Sequence, residues 1–404
     1  MPEREALKTL LNQAETELHE NILPFWLTHT RDTSRGGFYG EISNDLQINE
    51  EAPRGALLTA RILWTFSAAY RRDGNPAYLD MAHHAFEDLI HRFWDETYGG
   101  LYWMTAADGT PMQPRKQIYG QAFGIYALAE YYAVTERDPA LTKAQDLFTL
   151  LDEHAYDETH MGYFEAYTRE WEIAADMRLS EVDENEKKSM NTHIHIMEAF
   201  TNLLRVWPDA HLKARHTELL EVMMTRIIDP ETYHTILFFD EGWTPKSVHI
   251  SHGHDIETSW LLVEAAEVLN NGPILSQAKR LSIQMAQAVF DEGRDPDGAI
   301  PYEEGPEGWV DDTKQWWPQA EAAVGFLNAY QLSGAEPFFE AARSSWAFIK
   351  TYLIDQEYGD WYRYVTRDHR RDPDTPKVSF WKTPYHSSRA CMELIDRVST
   401  LMQS

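Results

Sequence analysis

Apolar residues return at three- and four-residue spacing through most of the chain, and short aromatic phrases interrupt them at regular intervals. Leu57, Leu58, Ile62, Leu63, Phe66 and Ala69 trace one helical stripe, and Ile256, Trp260, Leu261, Val263 and Ala266 trace another. Turn pairs such as Asn75-Pro76, Asp138-Pro139 and Asn271-Gly272 separate consecutive helices. The pattern predicts twelve helices, the first over 4–23 and the last over 384–400.

Between alternate helices one phrase recurs: an aspartate, a few turn residues, a glycine, then aromatics. It begins at Asp32, Asp95, Asp157, Asp295 and Asp355, with a degenerate copy at Asp229, so the period is 60 to 72 residues. A period of this length marks a repeated supersecondary unit. Six helix pairs, each joined to the next by a short β-hairpin and with no domain-sized linker, predict an all-α (α/α)6 barrel filling residues 1–404 as one catalytic domain. The rival is an open helical solenoid, which needs polar capping repeats. The stretch Trp381–Arg389 is aromatic and carries His and Arg, so it makes a poor cap.

Composition narrows the function. Acidic residues number 65 against 36 basic, a net charge of −29, which disfavours nucleic acid and anionic membrane surfaces as partners. One cysteine, Cys391, excludes an internal disulfide and fits a reducing cytosol. The charged N-terminus does not read as a signal peptide, and no run nears the ~20 apolar residues of a membrane span. A cytoplasmic protein, monomeric or weakly dimeric, is expected.

The unusual polar residues gather where even-numbered helices begin: Arg61; Tyr119 and Gln121; Asn191, His193 and His195; His252, His254 and Glu257; Trp317 and Glu321; Trp381, Tyr385, His386 and Arg389. If alternate helices form an inner ring, these positions share one mouth. Any single histidine is more often a structural one; convergence in successive repeats favours a site. The pairs His193/His195 and His252/His254 invite a metal reading, but residues two apart on a helix point about 200° apart, so no metal is expected. Paired carboxylates for glycoside hydrolysis, drawn from Asp183, Glu257 and Glu321, remain a rival. Imidazole is the richer set, suited to proton transfer near neutral pH. Glu257, three residues after His254, is placed to orient that ring or to form an ordinary local ion pair. Trp317 and Trp381 offer flat faces for a sugar ring, core packing being the alternative.

The stretches Met190-Asn191-Thr192-His193-Ile194-His195, Gly253-His254-Asp255-Ile256-Glu257, Trp316-Trp317-Pro318-Gln319-Ala320-Glu321 and Phe380-Trp381-Lys382-Thr383-Pro384-Tyr385-His386 resemble the N-acylglucosamine 2-epimerase superfamily, and within it most the branch acting on cellobiose. The resemblance runs from about Leu23 to the C-terminus. It implies an (α/α)6 barrel and cofactor-free epimerisation at C2 of a reducing-end glucose through an enediolate. By that likeness His254 and His386 flank C2 as acid and base, and Arg61 and His195 hold the O1 and O2 oxygens. Glu257 supports His254, Tyr119, Asn191 and Asp183 bind hydroxyls, and Trp317 and Trp381 stack on sugar. Mannose 2-epimerases and mannose isomerases share the barrel and the histidine pair, and a non-catalytic sugar-binding barrel is a further reading.

Overall fold

The repeat resolves into a double ring of helices. A computed structural model describes residues 4–403. Six outer helices alternate with six inner ones among the described residues. The outer helices are α1 (Arg4–Thr16, prolonged by a π turn Glu17–Ile22 and by Leu23–His29), α3 (Pro76–Asp88 with π turn Leu89–Phe93), α5 (Asp138–Leu150 with π turn Leu151–Ala155), α7 (Ala210–Val222 with π turn Met223–Ile227), α9 (Gly272–Glu292) and α11 (Glu336–Phe348 with π turn Ile349–Leu353). The inner helices are α2 (Ala56–Asp73), α4 (Ile118–Thr135), α6 (Met190–Val206), α8 (His252–Val268), α10 (Trp316–Ser333) and α12 (Tyr385–Gln403).

Each inner helix packs on the next, from α2 through α4, α6, α8 and α10 to α12, and α12 returns to α2. The ring therefore closes as an (α/α)6 barrel, and the open solenoid is excluded. The sequence explains which ring each helix joins. Helix α4 is buried without interruption from Ile118 to Tyr131, as expected of a helix that is apolar all round. Helix α3 instead buries one stripe, Tyr78, Met81, Ala82, Ala85 and Phe86, against the inner ring.

The aspartate phrase has a physical purpose. The amides of Asp32, Asp95 and Asp157 donate to the carbonyls of Gly37, Gly100 and Gly162, closing each hairpin. The aspartate Oδ1 accepts the amides two and three residues on, as with Thr97 and Tyr98 at Asp95. The other oxygen grips a buried cation on the strand that leads into the next inner helix. Arg54 reaches Asp32 at 2.5 Å, Lys116 reaches Asp95 at 3.0 Å and Lys188 reaches Asp157 at 2.7 Å. One residue thus shapes the turn and fixes where the following inner helix starts.

The loops also pair with one another in a ring. Arg54 lies opposite Thr105, Lys116 opposite Tyr167, Lys188 opposite Phe239 and Lys314 opposite Val365, all antiparallel. Bridges Ile250 to Glu304 and Ile42 to Val378 complete the circuit. Helix α1 runs past the expected stop at residue 23. Pro24 falls in the first turn after the π segment, where a missing amide hydrogen costs little. No described helix is long and apolar enough to cross a membrane.

Candidate active site

All six inner helices begin at the same rim, and their first turns enclose a cavity of about 220 Å³. Arg61 enters from α2, Tyr119 from α4, Asn191 and His195 from α6, His254 and Glu257 from α8, Trp317 from α10 and His386 from α12. Asp183 and Trp381 complete the wall from loops, so the ten residues expected from the sequence all line one space. A larger groove of about 590 Å³ beside α1 gathers no histidine.

Three histidines face this cavity in the same manner. His195 Nδ1 lies 3.0 Å from Glu198 Oε2, His254 Nδ1 lies 2.8 Å from Ser251 Oγ, and His386 Nδ1 lies 2.6 Å from Glu321 Oε1. Each ring has one nitrogen held by the protein, and Nε2 is the nitrogen left for a ligand. Burial pushes all three below the ordinary imidazole range. His254 falls to about 3, and His386, beside Arg61 and Arg389, lies well below 6.5. For His195 burial outweighs the opposing pull of Glu198. Neutral imidazoles with an open Nε2 are competent proton acceptors.

The indole of Trp317 packs between two of them, 4.5 Å from the His254 ring and 5.7 Å from the His386 ring, centroid to centroid. Gly253 makes this possible, because a Cβ there would come within 2.9 Å of the indole. Trp381 stands across the cavity, edge-on to Tyr119 at 6.0 Å. Arg61 donates to Tyr119 Oη at 2.8 Å and lies over the Phe123 ring at 4.3 Å. Its buried Nε has no protein partner, and neither has the buried Oδ1 of Asn191. Asp183 Oδ2 accepts from the amide and hydroxyl of Ser180, at 2.7 and 2.9 Å, which closes a tight turn at the rim.

Behind the histidines one guanidinium gathers three carboxylates. Arg389 reaches Glu198 Oε1 at 2.5 Å, Glu257 Oε1 at 2.6 Å and Glu321 Oε1 at 2.7 Å. Burial and the neighbouring Glu321 push the Glu257 carboxyl up to about 8 despite Arg389. Burial alone would also raise Glu198, but Arg389 and His195 hold it down to about 2.

One expectation changes here, and two alternatives narrow. Glu257 does not support His254: Arg389 draws it across the barrel axis, and it lies 3.9 Å from His386 Nδ1 instead. The local ion pair thus loses to a full charge on a facing helix. Glu257 and Glu321 also make no glycosidase pair, because they grip the same guanidinium nitrogen and cannot flank a scissile bond. Finally, the two His-x-His pairs split. His193 is structural, its Nδ1 on the Ser189 carbonyl and its Nε2 accepting from the Tyr163 amide, and His252 turns away to Glu304. Sequence reasoning missed Glu198 and Ser251. Glu198 had a signal, since His195 and Glu198 repeat the three-residue spacing of His254 and Glu257.

Residues 37–390 match the family described as N-acylglucosamine 2-epimerase (GlcNAc 2-epimerase). A cellobiose 2-epimerase of Bacteroides fragilis is 42% identical over 387 residues, 96% of this chain and 98% of the relative. The structure of a cellobiose 2-epimerase from Bacillus thermoamylovorans superposes with a TM-score of 0.93 at 39% identity, covering 96% of this chain and 100% of that one. A D-mannose isomerase structure shares the fold, with a TM-score of 0.83 at 21% identity over 95% of this chain and 97% of its own.

Proposed function

The chain belongs to the N-acylglucosamine 2-epimerase family, and from that premise we propose that it inverts C2 of the reducing-end glucose of β-1,4-linked disaccharides, cellobiose to glucosyl-mannose and lactose to epilactose. Residues 1–404 act in this reading as one catalytic domain, and no cofactor takes part. The observation that carries it is the convergence of His195, His254 and His386, each held at Nδ1, on one cavity with Arg61.

The steps follow from proton chemistry at a carbon next to a carbonyl. The open-chain aldehyde lies with its C2 between His254 and His386. One imidazole Nε2 takes the C2 proton, and the electron pair moves onto the C1 oxygen to give an enediolate. Arg61 holds O1 by donating to it, so the developing negative charge meets a fixed cation, while neutral His195, its Nδ1 hydrogen engaged by the ionised Glu198, holds O2 by accepting from the O2 hydroxyl. Rotation about C2–C3 presents the other face, and the second histidine, which starts in the tautomer with its hydrogen on Nε2, delivers that proton there; exchange with solvent then resets both rings. The Glu257–Glu321 pair, with Glu257 raised to about 8, serves as the proton reservoir behind His386. Trp317 and Trp381 stack on the pyranose faces, and Tyr119, Asn191 and Asp183 take hydroxyls.

Incubation with cellobiose in heavy water tests this. The expected product is glucosyl-mannose carrying deuterium at C2, read by NMR. Turnover with no solvent hydrogen at C2 overturns the enediolate route, and no turnover with any sugar leaves a binding barrel.

A further inference from the structure

Behind the start of α8, outside the sugar cavity, lies a second histidine cluster that the epimerisation does not use. His234 comes from the loop after α7, and His252 and Asp255 from the first turn of α8. One ligand atom from each lies within 4.8 Å of the other two, and all three residues are buried. His234 Nδ1 is 2.7 Å from Asp255 Oδ2, and His252 Nδ1 is 4.0 Å from the same oxygen.

Two features set this cluster apart from an ordinary buried ion pair. The His252 side chain is fully buried, yet its Nδ1 faces the carboxylate with no hydrogen-bond partner. Leaving such a nitrogen unsatisfied costs free energy. The surrounding groups also have the arrangement that orients metal-ligating imidazoles. His252 Nε2 meets Glu304 Oε2 at 3.0 Å and His234 Nε2 meets Glu292 Oε2 at 3.2 Å. The remaining oxygen of Asp255 accepts from the Thr235 amide and hydroxyl at 2.7 and 2.6 Å. A carboxylate on the outer nitrogen of each ring fixes the tautomer with Nδ1 turned inward and strengthens it as a donor.

We propose that His234, His252 and Asp255 bind a divalent transition-metal ion of the zinc class, which ties the loop after α7 to the start of α8. Two imidazoles and one carboxylate suit zinc and not the all-oxygen preference of magnesium or calcium. Ligand atoms around tetrahedral zinc stand about 3.3 Å apart, a value that follows from bonds of about 2 Å. The 2.7 Å separation opens slightly and the 4.0 Å separation closes by a similar amount to reach it. The role is structural: His254 two residues on shares the helical turn, but no ligand of this set reaches the sugar cavity.

The test uses the full chain stripped with chelator, then supplied with zinc or magnesium. One tightly held equivalent of zinc by elemental analysis, an anomalous peak between His234, His252 and Asp255 in zinc-soaked crystals, and a Tm raised by zinc but not magnesium are expected. Turnover below the transition continues in the stripped protein. His252→Gln should lose the bound equivalent and the zinc-dependent rise in Tm. If that variant does not fold, the anomalous peak in the natural protein decides. No retained zinc, a peak elsewhere, or a His252→Gln protein that binds as well overturns the proposal.

Discussion

His386 and Glu321 sit on adjacent inner helices with imidazole Nδ1 and carboxylate Oε1 2.6 Å apart. The corresponding nitrogen of His254 meets only the Ser251 hydroxyl, at 2.8 Å. The two histidines proposed to flank C2 are therefore unequal. A carboxyl group that burial shifts upward can exchange a proton with the imidazole Nδ1, whereas a hydroxyl adds little. His386 is the better proton carrier, and His254 the more weakly supported base.

Glu321→Gln separates this role from simple packing. The amide keeps an oxygen for the Trp260 indole, which donates to Glu321 Oε2 at 3.1 Å, but cannot carry the proton. We expect kcat to fall at least tenfold, about 1.4 kcal/mol of barrier, with KM little changed. Steady-state kinetics on cellobiose check it; an unchanged kcat removes Glu321 from the proton path.

The barrel was legible because its causes are local and repeated. Helical periodicity and the aspartate phrase each recur six times, so the closed ring and the shared mouth follow from spacing alone. What lay hidden depends on which distant helix a charge meets. Nothing near Glu257 in the chain announces Arg389, 132 residues on, which takes it from His254. Glu198 pairs locally with His195 yet also reaches Arg389 across the barrel. The pairing between loops, such as Lys188 with Phe239, involves two-residue strands too short for any alternation to register.

The pH profile follows from the shifts. Depressed imidazoles are still neutral at pH 6.5 and take up a proton only below it, so loss of the base begins below that value. Burial shifts both Glu257 and Glu321 upward; Glu257, raised to about 8, keeps its proton at neutral pH and loses it as pH rises through that value. We expect kcat/KM to be bell-shaped, with an acidic limb below 6.5 and an alkaline limb near 8. An acidic limb above 6.5 contradicts the neutral-imidazole assignment.

His254→Ala and His386→Ala should each lower epimerisation by ~10²–10⁴-fold. Exchange is more telling than turnover. Each variant keeps one base, so each should exchange the C2 hydrogen of one epimer with solvent and leave the other epimer untouched. Exchange from both epimers in either variant means that a single group serves both faces.

Arg389→Met leaves Glu198, Glu257 and Glu321 buried around an apolar side chain. Breaking a buried ion pair by removing one partner costs about 3–5 kcal/mol. We expect a loss of this order in urea unfolding, together with loss of activity as His195 and His386 lose their shared anchor. A variant as stable as the natural protein shows that the carboxylates take up protons at little cost.

Substrate length is decided at the rim. Leu179, Ser180, Val182 and Asp183 line the cavity from one loop, and Val182 is 92% exposed while doing so. An apolar side chain held at the edge of a polar cavity suits the less polar face of a second pyranose. Asp183 shapes that loop through Ser180 with one oxygen and leaves the other for a hydroxyl. The alternative is a rim that only closes over a monosaccharide and excludes water. The two differ in what a change at the rim costs. Asp183→Ala should reduce kcat/KM for cellobiose and lactose about tenfold, the worth of one or two hydrogen bonds, and reduce it less for mannose. In the natural protein both disaccharides should exceed mannose in kcat/KM. If mannose is the better substrate and Asp183→Ala affects all three sugars equally, the second subsite does not exist and a monosaccharide epimerase or isomerase is the correct reading.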